Sequence, residues 1–189
     1  IILQKIIERG FVSRAELAKI TGLNKATVSV QVSDLLNENL VKETQLEHHS
    51  VGRRPIMLSV NGRAGYVLGI DLDYKEIIYR ISSLQGNLIE TKTAELDTER
   101  YEEVVDILIA EIKQYKDDYA DCTYGLVQTI IGVHGTVNNN EQIQFIPRLQ
   151  WTDKNLKADI ERAIDITVSI ENTANLSVYA ERVYQYPES

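Results

Sequence analysis

The chain has few of the features that mark a secreted protein, a zinc-stabilised protein or a membrane protein. Among 189 residues there is one cysteine, Cys122, which excludes an internal disulfide and any zinc site built from cysteines of this chain. No apolar run approaches the roughly 20 residues that span a bilayer, and no charged-then-apolar leader precedes the first predicted helix. We therefore expect a cytoplasmic protein that has no membrane partner.

The chain also has fewer positive than negative residues: 20 Lys and Arg against 28 Asp and Glu, which gives a net charge of −8. The deficit is uneven: residues 1–60 carry eight basic against six acidic residues, and the rest of the chain carries twelve against twenty-two. An acidic body is repelled by nucleic acid, so any DNA-binding surface must be local. The 43% apolar content is that of a globular protein, and the length fits two domains.

Residues 13–36, SRAELAKITGLNKATVSVQVSDLL, have the pattern of two helices separated by a glycine turn. Ser13 followed by Glu16 is a capping box that starts the first helix. Gly22 gives the backbone freedom for a tight exit, and Asn24 caps the second helix. The pattern predicts a helix-turn-helix, and hence duplex DNA as a partner.

The second helix of this pair has one apolar face and one face of small polar residues. Its apolar residues fall at i, i+4, i+7 and i+8, and they are Val28, Val32, Leu35 and Leu36. Short side chains with hydroxyl and amine groups let a helix approach base edges and phosphates in the major groove. We predict these DNA contacts from it: Asn24, Lys25, Ala26, Thr27, Ser29, Val30, Gln31 and Ser33.

An amphipathic helix before the pair and two strands after it complete a winged helix-turn-helix, which we predict over residues 1–62. The strands, starting at Leu40 and returning over 56–60, enclose the loop HHSVGRRP. Arg53 and Arg54 at the loop tip are predicted to contact the phosphate backbone or an A·T-rich minor groove. Two exposed arginines could instead serve solubility alone.

Residues 63–189 are predicted to form a second domain with alternating strands and helices. Strands are expected over 66–72, 77–81, 88–94, 124–133 and 167–171, and helices over 100–117, 155–163 and 174–184. The stretch HGTVNNNEQ is predicted to be a loop, and FIPRLQW a single extended segment. The order βββαβαβ occurs in the ribonuclease-H-like lobe of actin-like sugar kinases, although several other α/β folds have the same pattern.

Five motifs occur together, in one order and spacing, along essentially the whole chain. They are SRAELAKITGLNKATVS, GRRPIMLSVN, GYVLGIDL, GVHGTV and IENTANLSVYAE. In these motifs the chain resembles the ROK family of bacterial repressors and sugar kinases, and within it the xylose-repressor-like members. The resemblance implies a multi-domain α+β and α/β protein, in which a winged helix-turn-helix precedes the first lobe of an actin-like ATPase body.

The resemblance also implies that the chain is truncated before the second lobe of that body. No cofactor is predicted within this chain, because the family's cysteine-rich structural zinc motif belongs to the absent lobe. The resemblance therefore implies that a structural zinc, where there is one, lies outside these residues.

Two departures from the kinase members of the family imply that this body is not an enzyme. Kinase members carry Asp-x-Gly-Gly-Thr after the first strand, whose amides meet the ATP phosphates, but here the stretch reads Asp71-Leu72-Asp73-Tyr74-Lys75. Their Asn-Asp-Ala-Asn motif supplies a carboxylate base, and here Thr173 takes its place. We therefore predict no catalytic residues.

A sugar-binding cleft can survive these losses. By resemblance Gly135 forms a backbone turn beside the sugar and Asn172 contacts a sugar hydroxyl, where Thr173 can add a hydrogen bond. His134 stands where the family usually has proline, so it either lines the cleft or merely completes the loop. Trp151 is expected to pack in the core or between lobes rather than on a sugar ring.

These expectations together describe a homodimeric repressor of sugar-utilisation genes. It would bind a palindromic operator in double-stranded DNA and be released by a small-molecule sugar effector, with xylose suggested by the resemblance alone. Two alternatives remain open: a ROK sugar kinase with an accessory DNA-binding domain, and a repressor whose body only dimerises.

Overall fold

The computed structural model describes residues 1–45 and 56–173. Contacts divide the chain into two compact units, Ile1–Ala64 and Gly65–Ser189. The loop tip with Arg53 and Arg54, and the helix predicted over 174–184, lie outside the described residues. Within the described part, no helix is long and apolar enough to cross a membrane.

Unit 1 contains three helices and a small antiparallel sheet. The helices are α1 (Ile2–Arg9), α2 (Arg14–Thr21) and α3 (Lys25–Asn37), and the strands are β1 (Val12–Ser13), β2 (Val41–Gln45) and β3 (Ile56–Val60). The sheet order is β1-β3-β2, in which β3 places Leu58 opposite Val12 and Val60 opposite Val41. The predicted strand pair is confirmed. β1 was not predicted, because two residues are too few to show a strand period.

Local hydrogen bonds start the second and third helices where the sequence predicts. The Ser13 hydroxyl accepts a hydrogen bond from the Glu16 amide at 3.2 Å, and the Glu16 carboxylate accepts one from the Ser13 amide at 2.8 Å. Asn24 Oδ1 accepts from the Thr27 amide at 2.8 Å. Gly22 ends α2 with φ 71°, a left-handed conformation that glycine adopts at no steric cost.

The interior of unit 1 is built where the three helices meet the sheet. Its fully or nearly fully buried apolar side chains include Ile2, Ile6, Val12, Leu17, Val28, Val32, Val41 and Leu58. The predicted buried face of α3 is correct for Val28 and Val32, whereas Leu35 and Leu36 are only half-buried.

Unit 2 is built on a five-stranded mixed sheet. Its strands are β4 (Gly65–Leu72), β5 (Glu76–Ser83), β6 (Leu88–Glu95), β7 (Gly125–Val133) and β11 (Thr167–Asn172), in the order β11-β7-β4-β5-β6. β7 pairs in parallel with both β4 and β11. β5 pairs antiparallel with β4 on one side and with β6 on the other. The helices are α4 (Tyr101–Asp118) and α5 (Leu156–Ala163). The predicted order βββαβαβ is confirmed for this sheet and its helices.

An additional small sheet is inserted between β7 and α5. It consists of β8 (Thr136–Val137), β9 (Ile143–Ile146) and β10 (Trp151–Lys154), in the antiparallel order β10-β9-β8. The predictions of one loop and one extended segment here were wrong. The chain reverses in a turn over 147–150, where Gln150 has φ 53°, and the apolar residues on both sides concealed that turn.

Alternate residues of the strands bury one face of the sheet in the main core. Leu68, Ile70 and Leu72 of β4 belong to the same buried cluster as Leu108 of α4 and Ile160 of α5. Full burial of such a side chain contributes about 1.5 to 3 kcal/mol relative to exposure. This packing fixes the parallel strands, and with them the sheet edge at which the candidate ligand residues lie.

Candidate functional site

Three parallel strands of unit 2 end at the same edge of the sheet. Leu72 at the end of β4 lies opposite Val133 at the end of β7, and Val133 in turn lies opposite Asn172 at the end of β11. The residues that follow these strands therefore gather at one edge. In open α/β sheets the carboxyl ends of parallel strands are the usual position of a ligand site.

The turn after β7 is held by a contact from β11. Asn172 Nδ2 donates a hydrogen bond to the Gly135 carbonyl oxygen at 2.5 Å. Gly135 is also pressed against β9: a Cβ atom at this position would lie 2.3 Å from the Phe145 carbonyl oxygen and 2.8 Å from Ile146 Cγ1. Only glycine fits there. Two of the predicted sugar contacts thus touch each other, and the Asn172 amide also positions the turn.

His134 belongs to a cluster of two acids and two bases. With its proton on Nε2, the ring donates a hydrogen bond to Asp71 Oδ1 at 3.1 Å, and the same nitrogen lies 3.8 Å from Asp73 Oδ2. Arg148 Nη1 lies 3.7 Å from Asp73 Oδ1. The Asp71–His134 hydrogen bond links the end of β4 to the turn after β7. His134 therefore has a defined role in the described structure, as a partner of Asp71 in β4 and a neighbour of Asp73 just after it.

The turn between β4 and β5 uses its own backbone amides internally. The Tyr74 N–H donates to Asp73 Oδ1 at 2.6 Å, and the Asp73 N–H donates to the Glu76 carbonyl oxygen at 3.0 Å. A hydrogen bond to Glu99 raises the pKa of the Tyr74 hydroxyl above its ordinary value of 10.0. This is the turn at which the kinase pattern places glycines, and here two of its N–H groups are already occupied.

A cavity of about 280 Å³ lies beside this turn. It is lined by Tyr74, Lys75, Leu96, Asp97, Thr98 and Glu99, and by none of the four predicted sugar contacts.

The Thr173 hydroxyl is buried and has no hydrogen-bond partner among the described residues. Likewise, the described residues include no group of three or more acidic, histidine or cysteine side chains that could hold a metal ion.

Trp151 lies in the core and not at this edge. It is 3% exposed, its indole N–H donates to the Glu99 carbonyl oxygen at 2.8 Å, and its ring meets that of Tyr101 edge-on at 5.0 Å. The expectation of a packing role is confirmed.

Arg148 was missed as a site residue, because its partner Asp73 lies far away in sequence and no local pattern connects the two.

The DNA contacts predicted over residues 24–33 lie on α3 and at its N-cap, in two groups, whereas Arg53 and Arg54 lie outside the described residues. Lys25, Ala26, Ser29, Val30 and Gln31 are exposed, and we call these five residues the α3 face. The other predicted contacts have structural roles or less exposure. Asn24 caps the helix through its side-chain oxygen, Ser33 Oγ donates to the Ser29 carbonyl at 2.8 Å, and Thr27 is half-buried.

Comparisons with known proteins agree on one family. The model of the ROK family matches residues 67–188. The chain is 39% identical to the xylose repressor of Bacillus spizizenii and 36% identical to that of Bacillus subtilis, in each case over 97% of this chain and 48% of the relative. The chain thus spans about half the length of the curated relatives it matches.

Solved structures show the same fold. A ROK family transcriptional regulator, a homologue of the E. coli MLC protein, matches with a TM-score of 0.72 at 22% identity, over 92% of this chain and 44% of that one. A ROK family glucokinase from Streptomyces griseus, solved with glucose and AMPPNP, matches with a TM-score of 0.55 at 22% identity, over 65% of this chain and 37% of that one. Unit 2 therefore resembles the actin-like lobe shared by ROK regulators and sugar kinases. Since the family model covers more than half of the residues, this chain belongs to the ROK family.

Proposed function

We propose that the chain is the DNA-binding and ligand-sensing part of a cytoplasmic transcriptional repressor of sugar-utilisation genes. Unit 1 is a winged helix-turn-helix, and unit 2 is a sugar-binding lobe without catalytic activity. Relatives named xylose repressors at 39% and 36% identity support this reading and suggest a pentose as the effector. Operator binding by a homodimer, and release on sugar binding, complete the proposal.

The proposal that unit 2 is not an enzyme rests on the hydrogen bonding of the turn between β4 and β5. A phosphate-binding turn needs amide N–H groups that point at the ligand. The amides of Asp73 and Tyr74 instead bond within the turn, and the carboxylates of Asp71 and Asp73 lie at its start. An ATP phosphate placed there would meet negative charge and no free donor from these two residues.

The loss of the catalytic base supports the same conclusion independently. A kinase needs a carboxylate that takes the proton of the sugar hydroxyl, and the Thr173 hydroxyl cannot do so near neutral pH. Sugar contacts are proposed from His134, Gly135, Asn172 and Thr173, with the Asn172–Gly135 bond fixing the turn.

On the DNA side, the α3 face carries the proposed major-groove contacts. Its side chains are short or flexible, so the helix backbone can approach the base edges. Lys25 supplies a charge for a phosphate, and Gln31 supplies an amide that can bond an adenine edge. Arg53 and Arg54 remain the proposed contacts of the wing.

Selection from a random duplex library followed by fluorescence anisotropy tests the DNA-binding role. We expect wild type to enrich a palindrome. Lys25→Ala should weaken binding to all sequences and flatten its salt dependence, whereas Gln31→Ala should relax the preference at particular base pairs. Lys113→Ala, an exposed change on α4 of unit 2, is the matched control and should leave binding unchanged. Equal binding by wild type and both α3 variants would remove α3 from the interface.

Calorimetry of the protein with pentoses and hexoses, and separately with Mg·ATP, tests the sensing role. Binding of a sugar without binding of Mg·ATP is the expected result. ATP-dependent phosphorylation of any of these sugars would favour the kinase alternative instead. Absence of all sugar binding, with DNA binding intact, would favour a body that only dimerises.

A further inference from the structure

The hairpin of β8 and β9 is attached to β11 at two points. At its start, the Gly135 carbonyl oxygen accepts the hydrogen bond from Asn172 Nδ2. At its tip, residues 138–142, Glu141 Oε1 accepts a hydrogen bond from the Ile170 N–H at 3.3 Å. The edge strand β11 makes both attachments, from residues that are two positions apart. β11 therefore holds the hairpin at both ends, and one of these ends is the turn of the candidate site.

The Glu141 carboxylate also joins the hairpin tip to α5. Its other oxygen, Oε2, forms an ion pair with Lys157 Nζ in the first turn of that helix. The Glu141 side chain is 32% exposed and the Lys157 side chain 29%, so solvent screens this pair less than a pair on the open surface. One side chain therefore connects the hairpin, the edge strand and α5.

The backbone of Glu141 has a conformation that suits glycine better than glutamate. Its φ is 58°, in the left-handed region, where a Cβ atom is crowded. The tip imposes this conformation: Asn138 Oδ1 accepts from the amides of Asn140 and Gln142, and the Glu141 N–H donates to the Asn138 carbonyl oxygen at 3.0 Å. Glycine would adopt it at no steric cost. Glutamate here indicates that its carboxylate contributes something that glycine cannot.

The small sheet has a separate apolar anchorage in the main core. Ile143 and Ile146 of β9 and Trp151 of β10 are buried members of the core cluster. Gly135 and Glu141, in contrast, are only half-buried. Glu141 therefore acts on where the hairpin tip lies against β11, and not on whether the small sheet forms.

We infer that Glu141 is a positioning residue of the sugar site. By holding the tip against β11 and α5, its carboxylate keeps the Gly135 turn at the spacing from Asn172 at which one sugar meets both. A binding site requires its contacts to be held within about 0.5 Å by such supporting bonds. The inference rests on the proposed function, because it concerns the sugar contacts proposed for Gly135 and Asn172, and it adds a residue that acts through the turn without touching the sugar.

A second glutamate at the same edge provides a matched control. Glu161 Oε1 accepts a hydrogen bond from the Val168 N–H at 2.9 Å, so this carboxylate also covers an amide of β11. Glu161 belongs to α5 and not to the hairpin, so its loss uncovers the edge without releasing the turn. Covering edge amides is a general role that discourages strand addition. If Glu141 had only that role, substitutions of the two glutamates would have the same effects.

Hydrogen exchange of the ligand-free 189-residue chain, followed at residues 134–137, tests the attachment. Glu141→Gly should raise exchange there by about tenfold, because the tip is released while its backbone conformation is kept. Glu141→Gln keeps an acceptor for the Ile170 N–H and should give an intermediate rate. Glu161→Ala should leave this segment unchanged. Urea unfolding should show little loss of stability in Glu141→Gly, because relief of backbone strain offsets the lost bonds.

Calorimetry of the same variants with D-xylose tests the effect on the site. Glu141→Gly should raise the Kd by about tenfold and Glu141→Gln by less, while Glu161→Ala should match wild type. Unchanged exchange at 134–137 in Glu141→Gly, faster exchange with unchanged xylose affinity, or equal effects of Glu141→Gly and Glu161→Ala would overturn the inference. Absence of xylose binding by wild type would instead count against the proposed function, and the exchange rates would still decide whether Glu141 holds the turn.

Discussion

The defining interactions of the two units differ in the distance along the chain that they span. In unit 1, Ser13 bonds Glu16 and Asn24 bonds Thr27, each over three residues. In unit 2, Asn172 reaches Gly135 over 37 residues and His134 reaches Asp71 over 63. Local bonds can form as a helix starts, but the long-range contacts exist only once the sheet is assembled. Substitutions in unit 2 are therefore expected to cost more than substitutions in unit 1.

Gly135→Ala should produce the largest effect. The added methyl group meets a backbone carbonyl and a buried side chain, and neither can move without disturbing β9. We expect a loss of about 2 to 3 kcal/mol in the free energy of unfolding, measured by urea denaturation. Gly69→Ala is the matched control, because its Cβ would approach no atom closer than the Arg80 carbonyl oxygen at 3.8 Å. Equal losses in the two variants would contradict the close approach at Gly135.

Trp151→Phe should have the next largest effect. The smaller ring leaves the Glu99 carbonyl oxygen without its indole donor and leaves space in the core. We expect a loss of about 1.5 kcal/mol in the free energy of unfolding. Phe145→Leu, an exposed aromatic change on β9, should alter it by less than about 0.5 kcal/mol. Sugar affinity should be unchanged in Trp151→Phe, and a selective loss of sugar binding would place this ring at the ligand instead.

The same difference in sequence distance explains what could be predicted. Capping residues and apolar periodicity act within one or two turns, so α2, α3 and the main strands were predicted close to their actual bounds. β1 and β8 are only two residues long. Each is stabilised by pairing with another strand, β1 with β3 and β8 with β9, so no local sequence pattern marks it. The cluster of Asp71, His134 and Arg148 was missed because it depends on the register of β4 against β7.

Within the site, some contacts could be predicted from the sequence and others could not. Gly135 and Asn172 were predicted as neighbours of the ligand, and in the structure they contact each other. The close approach of β9 explains why glycine stands at that turn. The use of the Asp73 and Tyr74 amides within their own turn could not be predicted, because backbone hydrogen bonding depends on the turn conformation and not on residue type alone.

Asn24→Ala separates capping from DNA contact in unit 1. Loss of the side-chain acceptor for the Thr27 amide should lower the free energy of unfolding by about 1 kcal/mol. Asn24→Asp keeps an acceptor and should remain close to wild type in stability. If Asn24 also contacts DNA, the aspartate variant should be stable yet bind DNA more weakly, because it adds a carboxylate near the phosphates. Normal DNA binding by Asn24→Asp would confine Asn24 to capping.

Glu16→Gln should have the smallest effect, and one that depends on pH. Hydrogen bonds from the Ser13 amide and then the Ser13 hydroxyl lower the pKa of Glu16 below its ordinary value of 4.5. A carboxylate whose pKa is lowered on folding stabilises the folded state above pH 4.5, and this contribution is lost as the pH falls through the folded pKa. The side chain is exposed, so solvent screening limits the difference from wild type to about 0.3 kcal/mol at pH 7. Urea unfolding should show a smaller difference at pH 3 than at pH 7, and a difference of equal size at both would mean that the charge of Glu16 does not contribute to the capping box.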